Sequence, residues 1–132
     1  MRVLNLTIPG NPPSVNHMYR NFTEGGRRMR VIKHEGKMWM KATQQLATVA
    51  MKQQSWTPTV EEKLVAEIRV FWPDRRKRDV HNIDKILWDA LEGFVFDNDR
   101  WVLPRYMDFD YDKKNPRVEI KFYPLAEEGQ SA

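Results

Sequence analysis

The sequence predicts an α+β domain: a small mixed β-sheet packed with two main helices. Three observations carry that expectation. Residues 64–72 and 117–123 alternate their side chains with a period of two, as strands do when one face is buried. Residues 35–54 and 83–94 repeat apolar side chains at helical spacing, so each helix has one stripe that a sheet would cover. A length of 132 residues, 41% of them hydrophobic, suits one core, so residues 1–132 are expected to form a single domain. Its last stretch, from about residue 124 to 132, reads as a flexible tail.

In chain order, residues 2–8 place Val3, Leu4, Leu6 and Ile8 in a strand that the prolines of PGNPP stop. The polar, glycine-containing stretch up to Arg30 reads as a long surface loop carrying His17, Tyr19 and several cations. The first helix, over residues 35–54, is expected to bury Met38, Ala42, Leu46, Val49 and Ala50. After the break at Thr57 and Pro58, a strand over 64–72 runs into Pro73. The second helix presents Ile83, Ile86, Leu87, Ala90, Leu91 and Phe94 on one stripe and ends at Gly93. Its opposite face carries His81, Asp84, Lys85, Trp88 and Asp89. Two strands, 102–110 and 117–123, follow around the turn-forming DKKNP.

Composition excludes several classes. There is no cysteine, which removes disulfide frameworks and thiolate metal sites and fits a reducing compartment. No window of about 18 apolar residues spans a bilayer, and the N-terminus lacks the apolar run of a signal peptide, so a soluble cytoplasmic protein is expected. The formal charge of +4 is modest. Its distribution is more telling: Arg75 to Arg78 are four consecutive cations, and Arg27, Arg28, Arg30 and Lys33 form a second cluster. Such clustering points to a polyanionic partner.

Residues 75–102 read RRKRDVHNIDKILWDALEGFVFDNDRWV. Here cations that attract phosphate precede Asp79, a short amphipathic helix, and a second acidic cluster of Asp97, Asn98 and Asp99. Carboxylates are hard oxygen ligands suited to Mg²⁺ or Mn²⁺. A helix of about twelve residues spans roughly 18 Å, so Asp79 and Asp99 share an ion only if tertiary folding returns the later loop over the helix start. Each residue also has a purely structural role open to it. Asp79 is a favoured N-cap, and Lys85 and Asp89 are spaced for an i,i+4 ion pair. His81 is a polar helix-start residue, and the Asp97 to Asp99 cluster has turn chemistry. Asp97 stands in as the ligand if the register slips by two. Trp72, Trp88 and Trp101 fit a core or an interface, or stacking on unpaired bases.

The segment PGNPPSVNHMY together with RDVHNIDKILWDALEGFVFDNDRWV resembles the RusA family of Holliday junction resolvases. Members of that family show a Pro-Pro-Ser and Asn-containing segment near the N-terminus, then a pattern like R-D-x-D-N-x-x-K-x-x-x-D-A-L-x-G, and a few residues on D-D-x-Q. Arg78, Asp79, Asn82, Lys85, Asp89, Ala90, Leu91 and Gly93 match the central pattern, and Asn98 and Asp99 fall at the later acidic pair. The chain departs from the family at His81, where many members have a second aspartate, and at Asn98 and Trp101, which replace an aspartate and a glutamine. An imidazole supplies no negative charge and leans toward Mn²⁺ and other transition metals. Trp101, at a polar position of the family, is the tryptophan best suited to stack on bases.

The resemblance implies a homodimeric, divalent-metal-dependent endodeoxyribonuclease that places paired nicks in four-way or branched DNA. A twofold enzyme can present one site to each of two opposed strands of a twofold junction. On this reading Asp79, His81, Lys85 and Asp99 are catalytic: Asp79, His81 and Asp99 hold Mg²⁺ or Mn²⁺, His81 alternatively serving as a general base or a hydrogen-bond partner of a phosphate, and Lys85 steadies charge on the transferring phosphate. Asn16, Arg75, Arg76, Lys77, Arg78 and Asn82 contact nucleic acid. Two other classes compete with this reading: a junction-binding or architectural protein whose catalytic set is weakened at His81 and Asn98, and a small basic DNA-binding regulator. The pair Asp79 and Asp99 discriminates, because binding alone does not require carboxylates that repel phosphate.

Overall fold

The structure, a computed structural model, describes residues 1–130. Strands β1 (Leu4–Pro9), β4 (Leu64–Trp72), β5 (Val102–Tyr111) and β6 (Arg117–Pro124) form one sheet in the order β1-β6-β4-β5. β6 runs antiparallel to both β1 and β4, whereas β5 is parallel to β4. A parallel neighbour needs a crossover, and α3 (Asp84–Leu91) supplies it. A 3-10 turn, Val80–Ile83, leads into α3. The mixed sheet and two substantial helices are the α+β architecture expected from the alternating and helical patterns.

α2 (His34–Gln54) and α3 cover one face of the sheet. Between the layers lie Leu4, Leu6 and Ile8 of β1, Ile68 and Val70 of β4 and Ile120 and Phe122 of β6, packed against Ala47, Ile83, Leu87 and Leu91. The other face is solvated and laced by charge. Arg117 donates to Glu119 at 2.7 Å and to Asp112 at 2.9 Å, and its guanidinium lies 3.9 Å from the Phe71 ring centroid.

Three expectations are corrected. α2 is turned by one residue, about 100° at 3.6 residues per turn, from the stripe its larger apolar residues suggest. Met38, Leu46 and Val49 are exposed, at 58%, 38% and 54%, while Gly36, Thr43 and Ala47 are buried with Trp39, Ala50 and Met51 beside them. Small side chains let the helix seat closely, and the larger ones are left outside. Trp88, expected on the polar face of α3, is buried against Phe96 and Phe122, with ring centroids 6.3 and 6.4 Å away.

The long surface loop is instead a short helix, α1 (Val15–Met18), and a hairpin of β2 (Tyr19–Glu24) and β3 (Arg27–Ile32). Gly25 and Gly26, with φ of 57° and 75°, make the two-residue turn, which needs positive φ at both positions. This hairpin is its own two-stranded sheet. At its base Lys33 N donates to Met18 O at 2.8 Å. A Cβ added to Gly36 would lie 2.7 Å from both the Met18 carbonyl and Ile32 Cγ2, so only glycine lets α2 approach the hairpin this closely.

Residues 125–130, within the expected tail, include a 3-10 turn, Leu125–Glu127, whose Glu127 accepts from Arg2 Nε at 2.7 Å. Glu128 pairs with Arg105. Ser131 and Ala132, the end of that expected tail, lie outside the described residues.

Candidate nucleic-acid and metal site

β4 ends at Trp72, and Pro73 removes the donor that would extend it. The cation run that follows is folded around Asp74. Its Oδ1 accepts from Arg76 N at 3.0 Å and from Arg78 Nη1 at 2.7 Å, and the Arg78 guanidinium stacks 5.0 Å from the Trp72 ring centroid. The Arg78 bond, followed by the Arg76 amide, holds the Asp74 carboxyl below the usual carboxylate range. Arg75 lies over the Tyr111 ring at 4.7 Å. Two of the four cations are thus engaged locally through their side chains, whereas the side chains of Arg76 and Lys77 are exposed and make no salt bridge among the described residues.

Those two cations border a groove of about 530 Å³. Pro13, Ser14 and His17 form one wall, and Arg76, Lys77, Asp79 and Asn82 form the other. The Pro-Pro-Ser segment and the Arg-Asp-x-His-Asn block, about sixty-five residues apart in the chain, therefore face one another. Asn16 is exposed on α1 and is not part of the groove lining.

Asp79 caps the 3-10 turn: its Oδ1 accepts from His81 N at 2.9 Å, while its other carboxylate oxygen makes no hydrogen bond among the described residues. The His81 ring meets the Tyr106 ring edge-on, with centroids 5.0 Å apart. The Tyr106 hydroxyl donates to Asp84. Burial first, then the Asp84 hydrogen bond, then the charges of Asp84 and Asp79, hold the Tyr106 phenol protonated well above its ordinary range. Asp79, His81 and Asp84 thus gather near the middle of β5.

Lys85 points toward the hairpin base. Its Nζ is 3.2 Å from Asp89 Oδ2 and 5.4 Å from the Tyr19 ring centroid, and Tyr19 donates its hydroxyl to Asp89. Burial and this bond raise the Tyr19 phenol pKa, so the hydroxyl stays a donor.

At the other end of α3, Gly93, with φ of 83°, turns the chain and donates its amide to Phe96 O at 2.7 Å. The chain then passes beside Thr59, where Asp97 N donates to Thr59 O at 3.0 Å, instead of returning over the helix start. Asp97 uses both carboxylate oxygens, accepting from Glu61 N at 3.0 Å and Asn98 N at 2.9 Å. Asn98 accepts from Arg100 N at 3.0 Å. Asp99 donates its amide to Glu92 at 2.9 Å, and its carboxylate has no hydrogen-bond partner among the described residues. Trp101 is half-buried under the Arg100 guanidinium, 4.7 Å from its ring centroid.

Strand register fixes where these groups lie. Val102 pairs with Leu64 at the start of β4, and Tyr111 pairs with Trp72 at its end. Asp99 is therefore at the end of the sheet where β4 begins, while Asp79, which follows β4 in the chain, lies with His81 near Tyr106, the residue paired with Ile68 in mid-strand. The 3-10 turn and α3 between them account for roughly 20 Å. Among the described residues, no group of three or more His, Asp or Glu side chains is arranged to hold a metal ion.

The model of the family described as Endodeoxyribonuclease RusA matches residues 9–123, which include both walls of the groove, the hairpin and both acidic clusters. The chain belongs to the RusA endodeoxyribonuclease family. No curated protein matches it. Membership in the RusA family makes this a chain of the junction-resolving endodeoxyribonucleases, with branched DNA as the class of substrate. No helix among the described residues is long and apolar enough to cross a membrane.

Within this RusA-family chain the structure brings Asp79, Asn82, Arg76 and Lys77 together with Ser14 and His17, and leaves Asp99 remote. Sequence reasoning does not reach Ser14 and His17 as groove residues, although the Pro-Pro-Ser match is a signal that could draw them in. Tyr106 and Asp84 also escape it, because only strand pairing brings β5 under the start of α3. A divalent cation fits this chain incompletely on its own. Asp79 and Asp84 each keep one carboxylate oxygen free, their others accepting from His81 N and Tyr106, and His81 offers an imidazole, but the three are not arranged to hold an ion.

Proposed function

We propose that the chain is a divalent-metal-dependent endodeoxyribonuclease that nicks four-way DNA junctions in pairs, as a homodimer. The observation that carries this reading is the groove in which Arg76 and Lys77, whose exposed side chains make no salt bridge among the described residues, flank Asp79 and Asn82, a surface that attracts phosphate beside a carboxylate with a free oxygen. Carboxylates beside a phosphate track weaken binding unless a cation lies between them, so their presence favours catalysis over binding alone.

Two copies answer the separation of Asp79 and Asp99. β5 is a free sheet edge ten residues long, with Leu103, Met107 and Phe109 exposed, the last at 65%. Such an edge is suited to another copy of itself. Laid side by side about a twofold axis, two β5 strands run antiparallel, and the start of each lies beside the end of the other. The start carries Asp99, the end carries Tyr111 beneath Arg75, and Asp79 and His81 lie by Tyr106 nearer the middle, so a partly overlapped pairing would bring the partner's Asp99 toward them. Asp79 and His81 of one chain and the partner's Asp99 then make up the ligand set for Mg²⁺ or Mn²⁺. The ion would supply Lewis-acid stabilisation of charge on the phosphate and acidify a coordinated water. Arg76 and Lys77 bind the flanking phosphates, and Asn82 and Ser14 offer hydrogen bonds to the strand in the groove.

A synthetic four-way junction with Mg²⁺ or Mn²⁺ tests the activity, with two symmetric nicks expected. Mixing Asp79→Asn chains with Asp99→Asn chains tests the shared site. If each site draws on both chains, mixed dimers keep one intact site and recover single nicks, whereas a site built within one chain stays dead in every combination. The second reading, a junction-binding protein with weakened catalysis, is favoured by His81 and by the distance between Asp79 and Asp99 within one chain. Tight junction binding without nicks at any concentration of either metal decides for it.

A further inference from the structure

We infer that the β2–β3 hairpin is a DNA-contacting arm that grips one duplex arm of the substrate through Arg28 and Arg30. This rests on branched DNA being the substrate and says where that DNA lies beyond the groove. The hairpin is a separate sheet attached to the body through α1 and the start of α2, and its β2 and β3 side chains are mostly exposed. An isolated two-stranded hairpin gains little stability of its own. This one still carries Arg20, Arg27, Arg28 and Arg30 against a single acid, Glu24. Arg27 and Arg28 have no acidic partner among the described residues.

Register assigns the cations to faces. Tyr19 pairs with Ile32, Asn21 with Arg30, and Thr23 with Arg28, so these six side chains share one face. At the base of that face Tyr19 is buried and bonded to Asp89 of α3. Further out, Arg30 lies 5.7 Å over the Tyr19 ring, and its Nε donates to Asn21 Oδ1 at 3.0 Å. The outward half of the face thus holds two guanidinium groups and two hydrogen-bonding side chains, Asn21, Thr23, Arg28 and Arg30, which line a concave surface together with Phe22 and Met29.

The root of the arm adjoins the groove along the chain. His17 and Met18, which line the groove, directly precede Tyr19 at the root of the arm. Phosphates held by Arg76 and Lys77 would lead along α1 to Arg30 and then Arg28. Six residues per strand reach roughly 20 Å, which at 3.4 Å per nucleotide covers about six phosphates of one strand. Planar guanidinium groups suit phosphate, and the base of the arm is fixed by Tyr19 and by the close approach at Gly36.

Binding to a synthetic four-way junction is measured in EDTA across a range of salt concentrations, so that the result does not depend on nicking. Arg28→Ala/Arg30→Ala should weaken binding roughly tenfold or more at moderate salt and flatten the log–log salt slope by about 0.9 for each phosphate no longer neutralised. Arg28→Lys/Arg30→Lys should restore the slope. Lys52→Ala/Lys63→Ala makes the same change in net charge at the opposite end of the sheet and should leave the slope near that of the unaltered chain. Unchanged affinity and slope in the arginine variant overturn the arm, as does an equal effect in the lysine pair. Neither result touches the nuclease reading, which stands or falls on the metal-dependent assay.

Discussion

Acidic residues flank α3 in the chain on both sides, and the structure uses them differently. At the start, Asp79 spends one oxygen on the His81 amide and keeps the other free in a groove beside the exposed side chains of Arg76 and Lys77. Past the other end, Asp97 spends both oxygens on the Glu61 and Asn98 amides, and two residues on Asp99 keeps its carboxylate free. Capping and ligand chemistry draw on the same oxygens, so a carboxylate whose lone pairs are already used has little left for a cation. By that measure Asp79 and Asp99 remain available and Asp97 does not.

The largest expected effect tests the first half of this contrast. Asp79→Asn should abolish nicking of a four-way junction while junction affinity measured without metal holds or rises, because a ligand and a charge near phosphate are both removed. Retained nicking would return Asp79 to a purely structural role. Asp97→Ala sharpens the other half. Removing the acceptor of two amide bonds should cost about 1–2 kcal/mol, read as a fall of roughly 3–6 °C in thermal midpoint, with no gain or loss of metal-dependent activity at a temperature where the chain is folded. A variant that keeps its melting point but stops nicking would exchange the roles of Asp97 and Asp99.

A smaller effect is expected from pH. The Arg78 bond holds the Asp74 carboxyl below its usual range, so the loop gains stability while that carboxyl is ionised. That gain is fully present above the ordinary carboxylate value, about 3.9, and is lost as pH falls through the lower folded value. Asp74→Asn should therefore destabilise the chain at neutral pH and converge with the unaltered protein in acid, which melting curves at several pH values would read. The smallest effect belongs to Lys85. As an i,i+4 pair with Asp89, its replacement by Met should cost about 0.3–0.5 kcal/mol of stability. Loss of nicking at saturating DNA, out of proportion to that cost, would mark a catalytic contribution.

What can be read in the sequence follows from locality and burial. β4 and β6 show their period because one face of each meets the core, and α3 shows its stripe for the same reason. The stripe of α2 misleads because Gly36, Thr43 and Ala47 carry almost no hydrophobic signal, although their small size is what seats the helix. The hairpin is hidden because β2 and β3 are polar on most positions and bury only Tyr19 at their base, leaving Gly25 and Gly26 to announce a turn. The cation run and Asp79 are legible as neighbours in the chain. The far wall of the groove and the placement of Asp99 depend on strand order, which periodicity does not carry.

Gly36 has a mechanical consequence. With Met18 and Ile32 pressed against its bare α-carbon, the projecting ribbon has no independent hinge where it leaves the body. A tilt of that ribbon at its root is therefore expected to move the first turn of the 21-residue helix with it.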